Sequence, residues 1–143
     1  MASAFLAVNL VTPKGVVAHQ DTDSVQAPGE MGEFQLLPGH VPLLTALKPG
    51  VLTIGSKASS VYAVSSGYLR VDPQGAVEIL VEQALPAMEI DVDAARKDAA
   101  NAQAELAKWG TTGSGSQDGD YQNLVARAGW AQALVSAAGR AAH

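Results

Sequence analysis

Tyr68-Leu69-Arg70-Val71-Asp72-Pro73-Gln74-Gly75-Ala76-Val77-Glu78-Ile79-Leu80-Val81 holds two alternating runs, Tyr68 to Val71 and Val77 to Val81, joined by Asp-Pro-Gln-Gly. Apolar residues at every second position mark strands with one face on a core. Proline supplies a fixed φ and glycine a positive one, which is what a tight turn needs. The stretch predicts a β-hairpin. Working outward, similar runs occur at Phe5 to Val11, Gly15 to Ala18, Asp23 to Ala27, Glu33 to Leu37, Val51 to Ile54 and Val61 to Ser65. Pro13-Lys14-Gly15, Pro28-Gly29, Pro38-Gly39, Pro49-Gly50 and Gly67 separate them as turns. Short strands at close spacing predict an all-β sandwich or barrel. Pro42 and Pro49 predict that the segment between them begins and ends outside any central strand.

After Pro86 the alternation stops and alanine takes over. Asp91 or Asp93 can cap a helix in which Ala95, Ala99, Ala102, Leu106 and Trp109 recur at three- and four-residue steps. That helix is expected to stop at Gly110, and the Gly/Ser-rich residues 110–119 read as a linker. Asp120 then caps a second helix with Tyr121, Leu124, Val125, Ala128, Val135 and Ala138 on one face. The expected organisation is a β-sandwich over residues 1–86 and a two-helix hairpin over 87–143, with helices at about 92–109 and 120–138. Alanine seams bury little area, and Gly129 and Gly139 each weaken a helix by about 1 kcal/mol relative to alanine. A weakly held hairpin suits either a switch or a marginal appendage.

Composition narrows the function. The chain has 143 residues, 48% hydrophobic, with no cysteine and a net charge of -5. Without thiols there is no disulfide framework, thiolate zinc site or iron–sulfur cluster. Nine Lys plus Arg in an acidic chain make a poor nucleic-acid binder. No apolar stretch is long enough for a spanning helix, and Met1-Ala2-Ser3-Ala4-Phe5 puts no basic residue ahead of a hydrophobic run. A soluble intracellular protein is expected.

Catalytic patterns fail on inspection. Gly50-Val51-Leu52-Thr53-Ile54-Gly55-Ser56-Lys57 resembles a phosphate loop with its last two residues reversed, and its interior reads as a strand. His19, His40 and His143 lie far apart, without metal-site spacing. Asp21/Asp23 and Asp118/Asp120 read as solvated loop charge, and Glu78 and Glu82 lack an acid–base partner. No Gly-x-Ser-x-Gly elbow occurs. One segment stands out, from Gly32-Glu33-Phe34 through Pro38-Gly39-His40-Val41-Pro42-Leu43-Leu44-Thr45 to Lys48-Pro49-Gly50. Two Pro-Gly turns hold His40 and the leucine pair in a rigid connection, suited to a partner contact or to a tight corner with both leucines in the core.

This segment resembles the epsilon subunits of bacterial F-type ATP synthases, called delta in mitochondria. Their motif reads approximately Gly-Glu-x-Gly-x-x-Pro-Gly-His-x-Pro-Leu-Leu-Thr, then x-x-Lys-Pro-Gly. The chain supplies Gly32, Glu33, Pro38, Gly39, His40, Pro42, Leu43, Leu44, Thr45, Lys48, Pro49 and Gly50, and departs at Gln35. Ser66-Gly67-Tyr68-Leu69-Arg70-Val71 and Asp93-Ala94-Ala95-Arg96 extend the likeness over nearly the whole chain.

The resemblance implies a β-sandwich followed by a helical hairpin, in a non-catalytic central-stalk subunit of a proton-translocating synthase. Gly32, Glu33 and Phe34 would face the c ring; His40, Pro42, Leu43 and Leu44 would lie near the gamma subunit. Asp93, Arg96 and Arg127 would carry the hairpin, which in many relatives extends and blocks ATP hydrolysis at the alpha and beta subunits. The expected location is peripheral, on the cytoplasmic face of the bacterial inner membrane. Some relatives bind ATP through Ile/Leu-Asp-x-x-Arg-Ala. Ile90-Asp91-Val92-Asp93-Ala94-Ala95 lacks that arginine, and Asn123 and Trp130 stand at the expected basic positions of the second helix, so no cofactor is expected. From Asp120 onward only Arg127 and Arg140 are firmly cationic, which predicts weak inhibition. The alternative is a free-standing β-sandwich interaction module whose helices meet another partner.

Overall fold

The computed structural model describes residues 5–39, 42–56, 59–112 and 119–141. Ten strands come first: β1 (Leu6–Thr12), β2 (Gly15–Thr22), β3 (Val25–Gly29), β4 (Gly32–Leu36), β5 (Leu43–Leu47), β6 (Gly50–Ile54), β7 (Ser60–Val64), β8 (Gly67–Val71), β9 (Ala76–Val81) and β10 (Ala84–Pro86). A 3₁₀ turn (Ala87–Glu89) leads to helices α1 (Val92–Thr112) and α2 (Gly119–Ala141). The strands run in the order β10-β7-β6-β3-β5-β8-β9-β1-β2, with β4 paired to β3. All pairs are antiparallel except β1 with β9. A single register pair, Gly29 with Leu47, joins the two halves of that order, so the sheet folds over there into a sandwich.

The anticipated hairpin is β8–β9, with Asp72 Oδ1 accepting from the amides of Gln74 and Ala76 across its turn. Alternation fills the core from both layers with Leu6, Val8, Leu10, Val25, Leu36, Leu52, Ile54, Leu69, Val77 and Ile79. At about 25 cal/mol per Å² these branched side chains supply most of the drive to fold.

Several expectations change. The connection between Pro42 and Pro49 is itself a strand, β5, fully paired with β8. Both prolines lie just outside it, where their missing amide and fixed φ do no harm. Pro28, read as a turn residue, lies inside β3 opposite Glu33, one residue before the strand ends at Gly29. The short β10 pairs with β7. Helix α1 continues past Gly110 to Thr112, and α2 spans Gly119–Ala141 rather than 120–138, because a glycine near a helix end weakens the helix without stopping it. Residues 113–118 of the expected linker lie outside the described residues. Asp91, not Asp93, caps α1: its Oδ1 accepts from the Ala94 amide at 3.1 Å. Among the described residues no helix is long and apolar enough to cross a membrane.

The second helix does not present one stripe. It lies between α1 and the face of β6 and β7, so it has two buried sides. Leu124 and Ala128 meet Ala102, Leu106 and Trp109 of α1. Trp130, Ala133, Leu134 and Ala137 meet Val51, Val61, Ala63, Ala87 and Ile90. Val125, expected inside, is exposed. Gly129 now has a reason: a Cβ there would stand 3.1 Å from Pro49 Cγ, so glycine lets α2 come close to the β5–β6 turn. Its intrinsic helix penalty is exchanged for a close approach.

Candidate functional site

Three surfaces carry the residues expected to act. The first is the outward face of β5, β8, β9, β1 and β2. Register places Ala46, Tyr68, Leu80, Val11 and Val16 in one row across five strands. Val16 is 66% exposed, Tyr68 59% and Leu80 49%. The neighbouring row runs Leu44, Arg70, Glu78, Asn9 and His19. There Arg70 pairs with Glu78 at 2.7 Å, and the His19 ring hydrogen-bonds Asn9. The charges of the second row neutralise each other, which leaves the apolar row as the distinctive feature. Contiguous exposed apolar side chains of this kind mark an interaction surface.

Of the residues assigned to a gamma contact, Leu44 (68% exposed) and Pro42 are accessible at one end of this face. Leu43 is half-buried against the core, and His40 lies outside the described residues. Tyr68, Leu80 and Val16 were missed. For Tyr68 and Leu80 the signal was present, since each is a large apolar residue on the solvent phase of an alternating run; Val16 shares the parity of the inward Ala18 and faces out only through the register shift between Leu10 and Val11.

The second surface is the β3–β4 hairpin, whose β4 pairs with β3 off the main strand order. Gly32 starts β4 with φ +133°, which an L side chain rarely adopts, and Met31 before it is fully exposed. Glu33 points to solvent, whereas Phe34 turns inward beside Leu36 and packs on the core. Of Gly32, Glu33 and Phe34, only Glu33 therefore offers an accessible charged group. Arg140 of the last turn of α2 approaches Glu33 at 3.6 Å, a neighbour that sequence spacing does not reveal.

The third surface is the hairpin. Arg127 donates from Nε (3.0 Å) and Nη2 (2.7 Å) to Asp98 of α1, with Glu105 at 3.6 Å from Nη1. The hydrogen bond and charge of Asp98 raise the guanidinium pKa above its ordinary value, so it stays cationic. Trp109 meets Tyr121 edge-on at 5.6 Å. Asp93 and Arg96 are exposed on the first turns of α1, apart from this clasp. At the start of α1 a hollow is lined by Glu89, Asp91 and Asp98 together with Ile90 and Leu134. Three carboxylates face that space and Arg127 is already engaged, so this donor set does not fit a polyphosphate.

Comparison with known proteins meets this geometry. Residues 5–87 match the family described as ATP synthase, Delta/Epsilon chain, beta-sandwich domain. The chain belongs to the ATP synthase delta/epsilon family. The ATP synthase epsilon chain of Geobacter sulfurreducens is 38% identical over 138 residues, 96% of either chain. That of Anaeromyxobacter sp. (strain K) is also 38% identical, over 94% of this chain and 98% of the relative. Among solved structures, a chain of the Euglena gracilis mitochondrial ATP synthase OSCP/F1/c-ring assembly superposes with a TM-score of 0.77 at 21% identity. That match covers 100% of this chain and 84% of the other. A chain of the Tetrahymena thermophila central stalk/c-ring assembly matches at TM-score 0.53 and 23% identity, over 62% of this chain and 71% of its own length. At these identities the structures share the delta/epsilon fold. The curated relatives extend the kinship through both helices.

Proposed function

We propose that this chain is the epsilon subunit of a proton-translocating F-type ATP synthase, a non-catalytic piece of the central stalk that couples the c ring to gamma. Identity of 38% to proteins named ATP synthase epsilon chain, over almost the full length, carries the reading. The apolar row with Leu44 at its border is the surface given to gamma, since it offers area without unpaired charge. Glu33, on the projecting β3–β4 hairpin, is given to the polar loops of the c ring. The site is peripheral to the membrane, on the cytoplasmic face of the bacterial inner membrane.

Inhibition of ATP hydrolysis by the hairpin is weak in this reading. Arg127 is held by Asp98 and Glu105, and Arg140 lies near Glu33, so both cations have partners while α2 is packed down. Extending the helices towards acidic catalytic subunits means giving up those partners for a modest attraction that salt screens.

The test is co-purification of the tagged full chain from membranes that contain the matching synthase. Recovery of both gamma and the c ring is expected. Recovery of neither means a free-standing interaction module. Strong, salt-sensitive suppression of hydrolysis by the added chain contradicts the weak-brake part alone.

A further inference from the structure

We propose that His19 makes the gamma contact proton-linked: the sheet face given to gamma holds its partner while this imidazole is neutral and loses affinity when it is charged. This rests on the gamma reading above. Area carries the contact beyond the apolar row. Strands lie about 4.8 Å apart and alternate residues of a strand about 7 Å, so one row across five strands covers only about 170 Å² of sheet. A specific interface takes several times that from each partner, about 800 Å². On one side of the row the strands run out: Tyr68 follows the first residue of β8, Leu80 precedes the last of β9 and Val11 the last of β1. Further sheet area therefore comes from the neighbouring row, Leu44, Arg70, Glu78, Asn9 and His19.

A partner that covers this row takes its polar groups out of water, and each group left unpaired then costs free energy. Arg70 and Glu78 satisfy each other at 2.7 Å. His19 is exposed on β2, the last strand of the order, with β1 beside it. Its Nδ1 lies 2.5 Å from Asn9 Oδ1. An amide oxygen only accepts, so Nδ1 carries the hydrogen and donates in the neutral ring and in the cation alike. Protonation leaves the Asn9 bond in place and acts at Nε2, across the ring from Asn9. The neutral ring has an acceptor there, and the cation has a second donor and a full charge. Two charged side chains lie nearest on this face among the described residues. Glu78 stands one strand beyond Asn9 and is engaged by Arg70, and Asp21 is two residues along β2 and exposed to water.

Covering the row separates the two protonation states. A neutral imidazole gives up a hydrogen bond to water, whereas an imidazolium gives up the hydration of a charge, which costs far more unless a counter-ion replaces it. The row offers no free counter-ion, because Glu78 is already paired. Gamma thus binds the neutral ring better, and by linkage its docking drives a proton off the imidazole. Imidazole is the side chain that changes charge between about pH 5 and 8. Affinity is therefore highest at the upper end of that range and falls towards the lower.

The experiment uses the full chain and the purified gamma subunit of the same synthase. Affinity is measured by interferometry between about pH 8 and 5.5, and proton release by titration calorimetry in buffers of different ionisation enthalpy. Wild type is expected to bind about tenfold more weakly at the acid end, the ceiling for one imidazole over that interval, and to release protons on binding. His19→Gln keeps an amide that can donate to Asn9 and cannot ionise, so it is expected to flatten the profile and reduce the proton release. His19→Lys carries a fixed charge and is expected to bind weakly throughout. The side chain is exposed at the sheet edge, so neither substitution disturbs the core. If wild-type affinity is level, or its slope survives His19→Gln because it belongs to His40, His143 or gamma, the inference fails and the gamma reading stands. A slope of opposite sign that His19→Gln abolishes also overturns it, because gamma then supplies a carboxylate to the imidazolium. If the wild-type chain does not bind gamma at any pH, the gamma reading falls and the inference with it.

Discussion

The sandwich and the hairpin are built from different side chains, and they are held differently. The sandwich core is leucine, valine and isoleucine, closed from both layers with many positions at 0% exposure. The helical seams are alanine-lined: Ala102 and Ala128 on the α1 side, Ala133 and Ala137 on the sheet side. Small residues let helices approach closely, but each buries little apolar area. Branched side chains thus close the sandwich core, and alanine makes a helical cover that fits closely while burying less apolar area per residue. Gly129 against Pro49 belongs to the second design, as shape without bulk.

A core truncation tests the first half of this contrast and carries the largest expected effect. Ile79 is fully buried in β9, and Ile79→Ala is expected to lose about 2–5 kcal/mol through lost transfer energy plus a cavity. Urea unfolding should show the loss in the sandwich, and the helices should melt with it because their platform has gone. A loss below 1 kcal/mol would mean that the core repacks as freely as the seams.

Overpacking the seam tests the second half. Gly129→Leu places a side chain where even a Cβ lies 3.1 Å from Pro49, and overpacking of this kind typically weakens a site by about 1–3 kcal/mol. The loss is expected in the hairpin alone: amide exchange across α2 should speed up while the sandwich midpoint stays put. If both move together, sandwich and hairpin are one cooperative unit and the contrast is wrong.

The two regions were also unequally legible. Period-two alternation identifies one-sided strands such as β8 and β9, where Leu69, Val71, Val77 and Ile79 face in. In β4 the same alternation holds, with Phe34 and Leu36 inward and Glu33 outside, yet Phe34 was assigned with Glu33 to the c-ring contact. It does not separate the roles within β6 and β7, which bury both faces: Leu52, Ile54, Tyr62 and Val64 towards the core, Val51, Val61 and Ala63 towards α2. The helix period fails for α2 for the same reason, because a helix covered on two sides has no single stripe. Family motifs pointed to Glu33 and Leu44, but not to Tyr68, Leu80 or the approach of Arg140, which depend on register and docking. The Pro-Gly turns hid β5 because a strand flanked by prolines looks like a loop until its partner is known.

A smaller change refines the seam. Thr53 shares with Val51 the face of β6 turned towards α2, and its hydroxyl oxygen is buried without a hydrogen-bond partner among the described residues. Thr53→Val keeps the shape and removes the unsatisfied group, so a gain of about 1 kcal/mol in helix docking is expected. Slower amide exchange in α2 with an unchanged sandwich midpoint would locate the gain at the seam. A loss of protection would mean that the hydroxyl supports docking.

The smallest expected effect is a pH dependence confined to the sandwich. Tyr62 in β7 packs partly against the core, and burial raises its phenol above the ordinary value because the phenolate is poorly solvated there. The folded chain then keeps the proton to higher pH than the unfolded chain does. Above about pH 10, where an unperturbed tyrosine ionises, the unfolded state binds fewer protons than the folded one, so stability falls as pH rises. The contribution is intact below that value and is lost as pH passes through the raised one. Tyr62→Phe keeps the ring and removes the titration, so urea unfolding between pH 8 and 11 (on the order of the phenol range) should show a shallower decline than wild type. Because Tyr62 and Val64 face the core while Val61 and Ala63 on the same strand face α2, helix docking should follow pH equally in both proteins. A difference in α2 exchange between them at high pH would show that β7 transmits core ionisation to the hairpin, and the two regions would then be less independent than their packing implies.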